Sequence, residues 1–378
     1  MNWPMRPVCE LCEFAIDCVN KTAPTVGYET EFKMIRTNNV KNGFIDLNEV
    51  RYVTEEVFKK WTRRSIPQYG DVILTREAPV GEVGRFTSSE DKVMLGQRLF
   101  HYRPDPEVLD WNFLAYVLKS SSVQGRFKGM GFGATVDHVR VGDAERLPIP
   151  CPPLEVQRRI GNTLSAYDDL IENNRRRISL LEQAARLLYR EWFVRLRFPG
   201  HEHVRIEDGV PEGWERKTIG ELAPLRYGKA LKEDDRIPGP FPVYGSSGIV
   251  GAHTKAMVKG PTIIVGRKGN VGSVYWSSID CHPIDTVYYI DSVHCSLHLF
   301  YALRHVAFIN TDVAVPGLNR DFAHSRVILN PDPKIHRLFE ETVIPLHELM
   351  ETLSKHNISL TKARNLLLPR LMNGEVTV

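Results

Sequence analysis

The sequence predicts an α+β protein in which two similar globular domains are separated by two long helices, running antiparallel as a coiled coil. Three observations carry the prediction. At 378 residues the chain is too long for one ordinary domain. Its segments recur in the same order at a spacing of roughly 180 residues, a domain-sized period rather than the short period of a solenoid. Each copy ends in a long amphipathic stretch with an apolar seam.

The elements of the two copies follow in order. A Gly-led apolar strand ends in a basic residue: Gly70-Asp71-Val72-Ile73-Leu74-Thr75-Arg76, and Gly260-Pro261-Thr262-Ile263-Ile264-Val265-Gly266-Arg267. A turn and a second strand follow, Val80-Gly81-Glu82-Val83-Gly84 and Val271-Gly272-Ser273-Val274, with glycine permitting the bend. Next come a short helix (111–118; 297–303) and a glycine-bearing loop, 131–136 in one copy and 315–319 in the other. Prolines then lead into each long helix through Leu147-Pro148-Ile149-Pro150-Cys151-Pro152-Pro153 and Val327-Ile328-Leu329-Asn330-Pro331-Asp332-Pro333, because proline suits the first turn of a helix.

Stepping by four and three from Ile160 gives Leu164, Tyr167, Ile171, Asn174, Ile178, Leu181, Ala185, Leu188 and Trp192. Moving these positions forward by 179 gives Phe339, Val343, Leu346, Met350, Leu353, Asn357, Leu360, Arg364, Leu367 and Leu371. Such seams pack knobs into holes, and a single asparagine in each fixes register at some cost in stability. Aligning Ile178-Ser179-Leu180 with Ile358-Ser359-Leu360 gives an offset of 180 instead, so the register between copies stays open. Two ordinary core helices in separate domains are the alternative. Length argues against them, since a helix over 154–193 extends roughly 60 Å. Pro345 predicts a kink, or a continuous second helix that begins only at about Leu346.

Composition excludes several classes. No apolar run of eighteen residues is available to cross a bilayer, and no secretory leader precedes the first domain, which predicts a cytoplasmic protein. The six cysteines are dispersed. Cys9-x-x-Cys12 with Cys18 lacks the fourth ligand of a closed zinc site, so no metal is expected. Net charge is only +3, so any basic surface must be local.

Catalytic motifs are also wanting. Gly129-Met130-Gly131-Phe132-Gly133 lacks dinucleotide-fingerprint spacing, and Asn330-Pro331-Asp332-Pro333 ends in proline where a methyltransferase stacks an aromatic ring. Gly266-Arg267-Lys268-Gly269 is too short to wrap phosphates. The acid pairs Glu90-Asp91 and Asp168-Asp169 read as solvated surface, because neighbouring side chains point different ways. No cofactor and no catalysis are expected of this chain.

The segment from Leu147-Pro148-Ile149-Pro150 through Pro153-Leu154-Glu155-Val156-Gln157-Arg158-Arg159-Ile160 to Asp168-Asp169-Leu170-Ile171-Glu172-Asn173-Asn174 resembles the central conserved region of type I restriction specificity subunits. Pro211-Glu212-Gly213-Trp214-Glu215 resembles the opening of that family's second target-recognition domain, and 366–375 its C-terminal conserved end. The first domain lacks the Gly-Trp opening, for which Trp3-Pro4 is a poor substitute.

The resemblance implies a first target-recognition domain over 1–152, a spacer helix over 153–197, a second target-recognition domain over 198–332 and a distal helix over 333–378. It implies that each domain reads half of a split, asymmetric site on double-stranded DNA while the helices set the spacing. It further implies that two modification subunits dock on the helices, bringing S-adenosylmethionine, and that a restriction subunit, when present, brings ATP-driven cleavage. A protein scaffold of the same layout is the alternative, separable by salt dependence.

For duplex DNA, phosphate contacts position the protein and a few side chains reach base edges. The candidates are Lys33, Arg36, Lys41, Arg63, Arg64 and Arg76 in the first copy, and Arg226, Lys229, Lys232, Arg267, Lys268 and Arg320 in the second. Asn38, Asn39, Asn270 and Asn319 are the candidate adenine readers beside those arginines. Tyr227-Gly228-Lys229 and Tyr244-Gly245-Ser246-Ser247-Gly248 read as DNA-facing loops or as tight turns.

Overall fold

The computed structural model describes residues 3–88, 90, 92–129, 138–306, 308 and 317–376. The loop at 131–136, most of the 129–133 glycine run, Asp91, Val315 and Pro316 lie outside the described residues. The chain divides into two compact units, Met1–Arg175 with Ser354–Val378, and Arg176–Leu353. Each long helix therefore contributes one part to each unit.

In the first unit the strand Val72–Thr75 lies inside a six-stranded sheet. Every residue of Val-Ile-Leu-Thr is buried, as befits a strand covered on both faces. It pairs antiparallel with Val83–Arg85 on one side and Leu99–Pro104 on the other. Cys12–Asp17 closes one edge, while Gly43–Ile45 and Val40–Lys41 extend the other. In the second unit Thr262–Gly266 occupies the same place, antiparallel to Val274–Ser277 and to Val287–Ile290. The repeat read from sequence is a repeat of this three-strand centre.

The second strands start later than the sequence suggested. Gly81 and Gly272 adopt φ of +86° and +75°, so they belong to the turns, and the strands begin only at Val83 and Val274. The short helices Trp111–Lys119 and Leu297–His305 each bury an unbroken run of seven residues, which suits helices apolar on nearly every side. Asp110 and Ser296 cap them by accepting from the Phe113 and Leu299 amides.

Each unit also ties an early strand to the segment that leads into a long helix. Met5–Pro7 pairs antiparallel with Pro148–Pro150, and Glu215–Thr218 with Val327–Asn330. The first domain thus has the equivalent opening strand without the Gly-Trp motif.

The first long helix spans Leu154–Tyr189 and continues into a π-helical turn, Arg190–Val194, that buries Trp192 and Phe193. The second spans Pro333–Met372 without a break. Of the two expectations at Pro345, the start at about Leu346 is corrected: Pro333 supplies a proline-compatible first turn, and the helix runs through both Pro345 and Pro369, whose amides are missing from its ladder.

None of the seam positions is exposed: Ile160, Leu164, Ile171, Asn174 and Leu353 are buried, and Ile178, Leu181, Leu188, Leu346, Asn357, Leu360 and Leu367 are half-buried. In the first unit Ile160 and Leu164 share a core with Leu371 and Met372, so the helices run antiparallel there. In the second, Ala185 and Tyr189 share a core with Phe339 and Val343. Asn174 Nδ2 donates to Asn357 Oδ1 at 2.9 Å, and Asn357 Nδ2 donates to the Ile171 carbonyl. The one asparagine of each seam thus partners the other, a pairing that apolar neighbours cannot offer in any shifted register.

Two stability predictions follow from this packing. Asn357→Leu strands the buried Asn174 amide and should lower stability by about 1–3 kcal/mol, whereas replacing both asparagines with leucine should be close to neutral; urea midpoints of the single and double variants check this. In the second unit, burial pushes the His298 imidazole down to about 3, with the nearby His336 adding to the effect. Its folded pKa lies below the unfolded value, so the unfolded chain binds more protons in between, and stability falls as pH drops below about 6.5. A loss of about 2 kcal/mol from this group between pH 6.5 and 5 is expected, and it should vanish from urea midpoints of His298→Phe.

Candidate nucleic-acid interface

In the second unit the exposed edge strand Arg226–Tyr227 pairs with Val287–Ile290, bringing Tyr227 opposite Tyr288 with ring centroids 5.1 Å apart. Arg267, immediately after the central strand, places its guanidinium 5.0 Å from the Tyr227 ring and 5.8 Å from Tyr288. Arg320, the first residue of the helix Arg320–Ser325, reaches the same Tyr227 ring at 5.2 Å. Two cations therefore converge on one tyrosine that is itself 46% exposed. Such contacts hold a guanidinium in place at about 0.5–2 kcal/mol each without using its N–H donors; one of these, Arg267 Nη1, donates to the Asp285 carbonyl at 3.2 Å, and Arg320 Nε lies 3.9 Å from Asp321.

Backbone bonds fix the loops that carry these side chains. The Leu318 amide donates to the Arg267 carbonyl at 2.8 Å, Lys268 bridges Gly317, and the Tyr288 hydroxyl donates to the Leu318 carbonyl at 2.8 Å. Burial pushes that hydroxyl up to about 12, so it remains a donor. Asn319 caps the Arg320 helix, its Oδ1 accepting from the Asp321 and Phe322 amides at 2.8 and 3.0 Å. Gly228 is required by space, because a Cβ there would run into the Ile284 carbonyl.

Arg226 is paired with Asp291 at 2.8 Å. The His294 side chain and the Arg226 charge hold that carboxyl below its usual range. Lys229, Lys268 and Asn270 are exposed on the neighbouring loops. Lys232 sits apart from the tyrosine cluster by contact, preceding the acidic turn Glu233–Asp235. Of the Tyr244–Gly248 segment, Tyr244 and Gly245 are buried strand residues and Ser246-Ser247 is a hairpin turn. The Ser246 carbonyl accepts from Ser273 Oγ at 2.6 Å, tying this turn to the loop after Arg267.

The first unit distributes its candidates differently. Lys33 pairs with Glu90 at 2.7 Å, Lys41 with Asp46 at 3.1 Å, and Arg64 with Asp17. Arg63 and Asn38 are exposed, and Arg36 is half-buried beside Arg51, where burial and that like charge lower its pKa. Two expectations are overturned by burial. Asn39 is 1% exposed, and its amide is spent on the Arg36 amide and the Asp46 and Glu49 carbonyls, leaving no edge for adenine. Arg76 is 8% exposed and donates to the Val139 carbonyl at 2.8 Å, so it braces the core. Its counterpart Arg267 is half-buried: the equivalent segment covers both strand ends, the Val139 amide donating to the Arg76 carbonyl and the Leu318 amide to the Arg267 carbonyl, but the Arg267 guanidinium turns onto the Tyr227 ring.

Asp168 corrects the surface reading of the acid pair. It is 2% exposed while Asp169 points outward. Its carboxylate accepts from the Tyr116 hydroxyl at 2.6 Å and from Arg364, with Arg85 at 3.7 Å and Lys119 at 3.8 Å. The signal that could have found it lies in the seam, where Arg364 stands at an otherwise apolar position and demands an acid opposite.

The first unit also aligns Ser65 Oγ, 2.8 Å from His101 Nδ1, with His101 Nε2 2.6 Å from Asp71. The order is that of a nucleophile, base and acid, but the charge is wrong. Arg103 forks across both Asp71 oxygens at 2.9 and 2.8 Å and already neutralises the carboxylate that an imidazolium would need. His101 is fully buried, so the array braces the sheet. Among the described residues, no helix is long and apolar enough to cross a membrane.

Comparisons with known proteins agree with this picture. The type I restriction modification DNA specificity domain matches residues 2–183 and 211–314, one segment in each copy of the repeat. The chain is 23% identical over 364 residues to the type I restriction enzyme MjaIX specificity subunit of Methanocaldococcus jannaschii, covering 87% of this chain and 82% of that one. It is 28% identical over 291 residues to the putative type I specificity subunit S.MgeORF438P of Mycoplasma genitalium, covering 71% and 72%. The crystal structure of the type I restriction-modification S subunit from M. genitalium shares its fold, with a TM-score of 0.64 at 21% identity over 98% of this chain and 96% of that one. With both copies of the repeat matched, the chain belongs to the type I restriction-modification DNA specificity family, whose members give such systems their DNA sequence specificity.

Proposed function

We propose that the chain reads a bipartite target on double-stranded DNA, one half by each recognition domain, and that it supplies the address without performing chemistry. The domains in this reading are 1–152 and 198–332, with 153–197 and 333–378 as the helical spacer. The convergence of Arg267 and Arg320 on exposed Tyr227 carries the proposal, because it presents two pre-positioned guanidinium edges, the groups best matched to guanine O6 and N7. Asn270 stands beside them as a candidate adenine contact, and Arg226, Lys229 and Lys268 supply phosphate contacts. In the first domain, Arg63 and Asn38 are the open candidates, while Lys33, Lys41 and Arg64 reach phosphate by exchanging an internal carboxylate for it.

The same reading assigns the docking of two modification subunits, and of restriction subunits where present, to the long helices. Exposed apolar side chains on these helices favour it: Leu170, Ile358 and Leu366 in the first unit, and Leu180, Leu187 and Ile344 in the second.

Arg320→Ala should cost about 1–3 kcal/mol in affinity for the mapped target and relax discrimination at one base pair. Lys268→Ala should weaken binding to all sequences alike and reduce the slope of log affinity against log salt by about 0.9. Anisotropy titrations of the assembled complex over a salt series separate the two; a salt-independent affinity instead favours a protein scaffold. Insertion of a matched heptad into both long helices should lengthen the spacer between half-sites without changing either half, and retention of the original spacing contradicts the ruler.

A further inference from the structure

In each unit the short buried helix is fastened to the long helices at both of its ends. In the first unit the Asp110 amide, at the start of Trp111–Lys119, donates to Gln157 Oε1 at 3.0 Å. Gly161 lets that helix start come close, since a Cβ there would crowd Asp110 and Phe113. At the other end Tyr116 and Lys119 meet Asp168, which also holds Arg364 of the second long helix and lies near Arg85 of the sheet. Arg85 is in turn fixed by Asn112 Oδ1 at 2.8 Å and by the Phe44 ring at 4.5 Å.

The second unit repeats the plan with different chemistry. Glu340 accepts from the Leu297 and His298 amides at 3.2 and 2.7 Å, fastening the start of Leu297–His305. At its other end the Tyr301 hydroxyl meets His347 Nε2 at 2.8 Å, and Arg304 donates to Glu182 at 2.6 Å. Tyr116 and Lys119 share their three-residue step with Tyr301 and Arg304. Asp168 and His347 are separated by 179, the offset that relates the two seams. The contact is thus kept in both copies although its acid has become a histidine in one.

Two attachment points along one rigid helix fix an angle, where a single point leaves a pivot. We propose that the tyrosine and basic residue of each short helix, with Asp168 in one unit and His347 and Glu182 in the other, are positioning residues that hold each recognition domain at a set angle on the long helices. They thereby help determine which half-site spacing is accepted, although they touch no DNA. This rests on the bipartite-target reading.

The test is methylation mapping in a host that expresses the modification subunits with wild-type chain, Asp168→Asn, Tyr116→Phe, Tyr301→Phe or Arg304→Gln. The readout is the ratio of methylated sites with the cognate spacer to sites one base pair longer or shorter. Both half-sites should be unchanged while that ratio falls, by roughly tenfold where a hydrogen bond of ordinary net strength is lost. Asp168→Asn leaves buried cations unpaired and risks unfolding; the tyrosine variants lose a single oxygen and decide the matter in that case. Methylation with an unchanged spacer ratio in the tyrosine and Arg304 variants overturns the proposal, as does a uniform loss at every spacer with degraded half-sites. A wild-type map without any split target overturns the bipartite reading itself, and this inference with it.

Discussion

The structure depends on the packing of two long helices that neither unit can do without. The first core closes around Ile160 and Leu164 from one helix and Leu371 and Met372 from the other. The second closes around Ala185 and Tyr189 from the first helix and Phe339 and Val343 from the second. A helix of 36 residues and one of 40 are more than either core uses alone. Their surplus is explained by sharing, and the Asn174–Asn357 hydrogen bond supplies the register that an apolar seam leaves loose. Register matters because a slip along the seam would carry Asp168 away from Arg364 and strand buried charge.

Duplication has preserved the frame and released the surface. Both copies keep the Gly-led central strand, the buried short helix and the strand that leads into a long helix. They differ in where positive charge ends. In the first copy Lys33, Lys41 and Arg64 lie on internal acids. In the second, Arg226 lies on Asp291, but Arg267 and Arg320 also lie on a tyrosine ring, which orients a guanidinium without itself consuming a donor. One frame with different side-chain economies suits the reading proposed above, in which the two copies read different half-sites.

Much of this frame was legible in the sequence, because periodicity reports which face is buried. The seams, the short helices and the central strands stand close to their expected positions, and the family resemblance rested on segments that form the long helices, the strand leading into the first of them and the opening strand of the second copy. Turn glycines were harder, since Gly81 and Gly272 look like strand residues until their positive φ is known. The interface was only partly legible. Net charge says nothing about partners, so Asn39, Arg76 and the exposed Arg320 look alike in sequence although the first two are buried and engaged inside the chain. Asp168 was hidden for the opposite reason: a carboxylate beside another carboxylate reads as surface until Arg364, far along the chain, is seen to face it.

On the function proposed above, this chain gives a methyltransferase complex its address. Single-molecule methylation sequencing of host DNA, with and without the chain and in the presence of the modification subunits, tests it most directly. A split, asymmetric, adenine-methylated motif that disappears when the chain is removed is the predicted result; a methylome that is the same in both cases contradicts it.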